Sequence, residues 1–159
     1  MPAENEKYRS LYQTLQGLVQ DETDALANLS NGAALLFHGL ERVSWAGFYL
    51  FKEHQLVLGP FQGKPACVRI ALGKGVCGTA ARTQRSVVVE DVHRFPGHIA
   101  CDAASASEIV LPILVDGELV GVLDLDSPVR GRFTEEDRRG LQSCLDLLSA
   151  HVRWGDLLR

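Results

Sequence analysis

Positive charge is in short supply in this 159-residue chain: 16 Lys and Arg stand against 20 Asp and Glu, for a net charge of −4. Nucleic-acid binding needs a basic face, so that class is excluded. The pairs Arg138-Arg139 and Arg130/Arg132 are too short to make such a face and read as solvated helix and loop charges. No apolar run approaches the ~20 residues that cross a bilayer. The start, Met-Pro-Ala-Glu-Asn-Glu-Lys, lacks the basic-then-apolar pattern of an export signal, and a cytoplasmic location is expected. None of the four cysteines forms a Cys-x-x-Cys pair and the five histidines are scattered, so no metal site is assigned. The glycine-rich Gly73-Lys74-Gly75-Val76-Cys77-Gly78-Thr79 has no Ser or Thr after its lysine, which argues against a phosphate cradle. Repeats and low-complexity segments are also missing, which leaves one domain that buries about two-thirds of its unfolded surface.

What is present is ordinary globular composition, with 46% hydrophobic and 23% charged residues. Tyr8, Leu11, Leu15 and Leu18 recur at helical spacing. A second helix starts near Asp24 with Leu26, Leu29, Ala33, Leu36 and Leu40 as its stripe, and Gly39 suits its end. From Val43 the period changes to that of strands. Residues 43–51 and 56–61 read as a hairpin around Lys52-Glu53-His54-Gln55, and Cys67-Val68-Arg69-Ile70 as a third strand. The glycine-rich turn then enters a short helix, and residues 86–91 form a buried-type strand. Residues 108–115 and 118–126 form a hairpin around Asp116-Gly117, the strongest short signal of its kind. Pro112 places an edge or a bulge in the first of those strands. Thr134 caps a last helix whose stripe is Leu141, Cys144, Leu145, Leu148 and Val152. The order predicts an α+β domain spanning 1–159: helical scaffold at 1–40, sheet and pocket loops at 43–127, C-terminal helix at 134–154. The antiparallel sheet carries the terminal helices on one face and the pocket on the other.

Alternation places Trp45, Gly47 and Tyr49 on one face of their strand. The two aromatics either fill the core, the simpler account from the residues alone, or flank a small concave space over Gly47. Asp124 and Asp126 likewise share a face, two carboxylates where a core would otherwise continue. Cys144 belongs to a helical stripe and is core. Cys101 sits differently, in His98-Ile99-Ala100-Cys101-Asp102-Ala103-Ala104-Ser105-Ala106-Ser107-Glu108. Small and polar neighbours of that kind make a loop that presents a working thiol, whereas packing cysteines sit among large apolar residues.

The turn Gly75-Val76-Cys77-Gly78-Thr79-Ala80, the loop His98-Ile99-Ala100-Cys101-Asp102, Ser107-Glu108-Ile109-Val110, and Gly121-Val122-Leu123-Asp124-Leu125-Asp126-Ser127 together resemble the free methionine-(R)-sulfoxide reductases. These are small single-domain GAF proteins, and the resemblance runs from about Trp45 into the last helix. It implies that Cys101 is the catalytic cysteine, Cys67 the main resolving one and Cys77 a third cysteine of the site. It also implies that Trp45 and Tyr49 wall the pocket and that Glu108, Asp124 and Asp126 hold the substrate.

The implied reaction is reduction of free methionine-(R)-sulfoxide. Glu108 with Asp126 protonates the sulfoxide oxygen, and the Cys101 thiolate attacks sulfur and becomes a sulfenic acid. Cys67 condenses with it to a disulfide, which thioredoxin, an external reductant, then reduces. No bound cofactor is expected, Asp124 is assigned to the substrate ammonium, and the resemblance implies a homodimer. A non-catalytic GAF sensor for a small ligand and a thiol redox switch without substrate are the alternatives.

Overall fold

The computed structural model describes residues 5–98 and 104–158. Helix α1 (Glu6–Val19) is capped by Asn5, whose side chain accepts from the Lys7 amide at 2.7 Å, and α2 (Ala25–Gly39) by Asp24, which accepts from the Ala27 amide at 2.8 Å. Their buried stripes differ from the expected ones at one position each. Leu18 is 40% exposed, and Val19, one i+4 step beyond Leu15, is buried instead; Leu26 is 56% exposed while Ala25 and Leu29 turn inward. Gly39 ends α2 without a left-handed turn. It lies against the Leu11 side chain, so it serves the packing of α1 on α2.

Strands β1 (Trp45–Lys52), β2 (Gln55–Gln62) and β3 (Arg69–Ala71) come first. Helix α3 (Gly75–Thr83), β4 (Val87–Val89), β5 (Ser107–Val115), β6 (Glu118–Ser127) and α4 (Glu135–Ala150) follow. The strands make one antiparallel sheet in the order β3-β2-β1-β6-β5-β4. Two tight hairpins close it locally, through positive φ at Glu53 (52°) and His54 (63°) and at Asp116 (52°) and Gly117 (79°). The segment expected as a buried strand near Val88 is a three-residue edge strand with Val88 40% exposed. Strand β4 pairs only with residues 108–110, so Pro112 lies past its end, where the lost amide is tolerated.

Alternation along each strand builds two cores on the two faces of the sheet. On one, Ala46, Phe48 and Leu50 of β1 and Leu111, Leu123 and Leu125 pack against α1, α2 and α4. On the other, Trp45, Tyr49, Val110 and Val122 pack against Val76, Cys77, Ala80 and Ala81 of α3. The terminal helices thus cover one face, as expected, and Cys144 is buried among them. Asn28, buried in α2, donates to the carbonyls of Glu22 (3.1 Å) and His151 (3.0 Å) and ties α2 to the end of α4. Among the described residues no helix is long and apolar enough to cross a membrane.

Candidate active site

On the second face, strand β1 carries no side chain at Gly47, where the backbone and its neighbours approach too closely for one. Gly47 pairs with Phe61 on β2 and with Asp124 on β6; a Cβ at position 47 would come within 2.8 Å of the Phe61 Cα and 2.9 Å of the Trp45 ring. The indole occupies that space instead. It lies between Phe61 (centroids 5.3 Å apart) and Tyr49 (6.0 Å), both in stacked orientation. Both aromatics are buried in the core of this face and both also line the cavity, so each alternative left open by the residues alone describes part of their surroundings.

Sheet order brings the acids together. Asp126 is the cross-strand partner of Trp45 on one side and of Glu108 on the other, and Asp124 sits one step along, between Gly47 and Val110. Glu108 and Asp124 are buried, at 7% and 5% exposure, and Asp126 is half-buried. Helix α3 closes the cavity from above. Positive φ at Gly73 (83°) and Gly75 (62°) turns the chain into it, and Gly78 lets it settle on the Ala71 carbonyl. That packing puts Cys77 over the acids, its Sγ 3.9 Å from Glu108 Oε2.

Burial first, then the neighbouring Asp124 and Asp126, raise the Glu108 pKa well above the ordinary carboxylate value. Burial also raises that of Asp124. The Cys77 thiol is pushed up by burial and then by the charges of Asp124, Glu108 and Asp126, so it is a hydrogen-bond donor and not a thiolate. The ligand atoms of Cys77, Glu108 and Asp124 lie within 4.8 Å of one another. One thiol and two carboxylates are donors a divalent cation can use, but every proton the cluster holds competes with a metal for it. Among the described residues, the buried lining atoms Asp124 Oδ1 and Ser105 Oγ have no hydrogen-bond partner. Buried polar atoms without a partner are rare in folded proteins, and both of these belong to residues that line the cavity.

The cavity therefore gathers Trp45, Tyr49, Cys77, Glu108, Asp124 and Asp126 from the expected set. Cys67 is half-buried beside the lining residue Ala66, and its carbonyl accepts from the Tyr49 hydroxyl at 2.9 Å. Cys101 lies outside the described residues. Sequence reasoning passed over Ser105, His98, Lys64 and Lys74, all of which line the cavity. Ser105 and His98 stand in the same stretch of sequence as Cys101, and that was the signal available. Burial and then His93 lower the His98 pKa and favour its neutral ring.

An antiparallel sheet with helices on one face and a small-molecule cavity on the other defines a GAF domain, and the GAF domain family model matches residues 13–152. The free methionine-R-sulfoxide reductase of Escherichia coli (strain K12) is 56% identical over 137 residues, covering 86% of this chain and 83% of the relative. A substrate complex of fRMsr of Staphylococcus aureus superposes with a TM-score of 0.88 at 45% identity, covering 96% of this chain and 99% of that one. The free methionine-R-sulfoxide reductase of Neisseria meningitidis, also solved in complex with its substrate, gives 0.90 at 41% identity, covering 98% and 95%. The chain belongs to the free methionine-R-sulfoxide reductases, a family of oxidoreductases within the GAF domains.

Proposed function

We infer that the protein reduces free L-methionine-(R)-S-oxide to L-methionine. The observation that carries this function is the buried acid cluster beneath the aromatic wall, in which Glu108 favours the protonated form. A sulfoxide sulfur becomes electrophilic when its oxygen is protonated or strongly hydrogen-bonded, and a neutral carboxylic acid is the donor for that step. Glu108, with Asp126 beside it, gives the proton to the sulfoxide oxygen. The Cys101 thiolate attacks sulfur, the oxygen passes to Cys101 as a sulfenic acid, and methionine leaves with two electrons gained. The Cys67 thiol then condenses with the sulfenic acid, forming a disulfide and releasing water. A dithiol of the thioredoxin class restores both thiols by exchange. Asp124 takes the substrate ammonium with its unpartnered oxygen, and backbone amides of the Cys101 loop take the carboxylate. Recognition of both termini excludes methionine within a polypeptide. Ionised acids would raise the pKa of a neighbouring thiol and suppress attack, so a protonated Glu108 serves the nucleophile as well as the leaving oxygen.

The test is methionine formation from the free R sulfoxide with a dithiol reductant. Cys101→Ser abolishes turnover and Cys144→Ser retains it. Cys67→Ser yields one methionine per enzyme but cycles poorly with thioredoxin. The S epimer and peptide-bound sulfoxide are poor substrates. Undiminished activity in Cys101→Ser overturns the assignment and leaves a ligand sensor.

A further inference from the structure

The pocket wall carries more than hydrophobic surface. A phenylalanine ring at position 49 would line the cavity as well as the tyrosine does, yet the Tyr49 hydroxyl reaches out of the stack to the carbonyl of Cys67 at 2.9 Å. The indole N–H of Trp45 does the same to the carbonyl of Lys64 at 3.0 Å. Both acceptors lie in residues 63–68, the link between the end of β2 and the start of β3, outside the ladder those strands share. The link enters over the indole, where Gly63 adopts φ +129° and a Cβ would come within 2.9 Å of the Ser44 carbonyl. It leaves through Leu58, whose amide donates to the Val68 carbonyl at 2.8 Å. Between those ends the link is pinned to the floor of the active site by the two aromatic donors. Burial first, then the charges of Asp124, Cys77, Asp126 and Glu108, raise the Tyr49 pKa and keep its hydroxyl a donor throughout the working range.

We propose that Tyr49 and Trp45 are positioning residues for Cys67, which is disulfide-bonded in this structure, holding its backbone where the bridge forms. The proposal rests on Cys67 being the resolving cysteine. Condensation of Cys67–SH with Cys101–SOH forms the S–S bond and releases water, with no further oxidant. Anchoring raises the effective concentration of the Cys67 thiol, which both speeds that step and stabilises the disulfide formed. Losing one neutral hydrogen bond of the anchor costs about fivefold in the disulfide equilibrium, or about 20 mV for this two-electron couple.

The experiment is a redox titration of the substrate-free protein against reduced and oxidised dithiothreitol, with peptide mapping to identify the bridged cysteines. Substrate is absent, so any part the aromatics play in binding methionine sulfoxide does not enter. Tyr49→Phe keeps the ring and removes the donor; its disulfide is easier to reduce, by about 20 mV. Trp45→Phe removes the second donor and shifts the potential in the same direction, and it carries the measurement should Tyr49→Phe fail to fold. An unchanged or more negative potential in the folded variants overturns the positioning role. A Cys67→Ser protein that still forms an intramolecular disulfide at Cys101, through another cysteine and at the wild-type potential, overturns the resolving assignment itself, whatever Tyr49 does.

Discussion

Glu108 shows how much chemistry a single placement can carry. Its carboxyl is buried beside Asp124 and Asp126, with the Cys77 thiol 3.9 Å away. Burial and those neighbours raise its pKa, so a group that is ionised at the surface retains its proton in the pocket. If that proton goes to the sulfoxide oxygen, Glu108→Gln keeps the shape of the cavity and loses the acid. We expect kcat to fall by roughly 10²- to 10⁴-fold, the usual worth of a general acid, with a much smaller change in KM. In the wild-type enzyme kcat declines as rising pH removes the Glu108 proton, and the Gln variant lacks that limb. Rates of methionine formation across pH 5–9 check both points, and a wild-type limb retained in Glu108→Gln would move the acid to another residue. The carboxylate pair at 124 and 126 was legible from strand alternation alone, and Glu108 as a carboxylate at the end of the Cys101 segment, while its role as proton donor entered through the family resemblance. Its proximity to Asp126 depends on the pairing of β5 with β6, which places the two residues directly opposite each other across a hairpin.

The elements show what local sequence can and cannot specify. Caps and hairpin turns were legible because they are short-range: Asp24, Thr134 and Asp116-Gly117 act within four residues of themselves. The burial of Leu18 and Leu26 was misjudged because i+3 and i+4 are both on a helix stripe, and only the packed partner decides between them. The start of α4 also holds a long-range contact that no local pattern announces. Asp137 closes a capping box with Thr134, and it also accepts from the Tyr8 hydroxyl of α1 at 2.6 Å and from Arg132 at 3.1 Å. Gly140, one turn on, leaves room for the Tyr8 ring against α4. Tyr8→Phe retains that ring and removes a donor to a buried carboxylate, which costs about 1.5–3 kcal/mol. Gln142→Ala, which loses an exposed bond to Asp146 on the same helix, costs less than about 0.5 kcal/mol. Urea midpoints of the two variants test the ranking; equal losses would mean that the Tyr8 hydroxyl contributes nothing beyond a surface contact.

At the scale of the whole molecule, one sheet separates a face built for stability from a face built for chemistry. The division into a helix-covered side and a pocket side followed from period and element order. The order β3-β2-β1-β6-β5-β4 did not, because β1 meets β6 across most of the chain and nothing local specifies that pairing. The two faces respond to pH in opposite senses. On the helix face, burial works to raise the Asp137 pKa, but the Tyr8 and Thr134 hydrogen bonds and Arg132 outweigh it, so the folded value lies below the unfolded one. Its contribution is present above the unfolded carboxylate pKa and is lost as pH falls through the lowered value. On the pocket face Glu108 and Asp124 are raised, so above the unfolded pKa of about 4 the folded state holds more protons than the unfolded chain. Stability then falls with rising pH until the raised values are passed. Glu108→Gln removes one of those proton-linked losses while leaving Asp137 in place. The variant is therefore expected to match the wild type near pH 4 and to exceed it in urea midpoint at pH 8. An enzyme made less active and more stable by one isosteric change is the signature of strain kept for function. A Gln variant less stable than the wild type at pH 8 would mean instead that Glu108 is held ionised, and the proton donor would have to be sought elsewhere in the pocket.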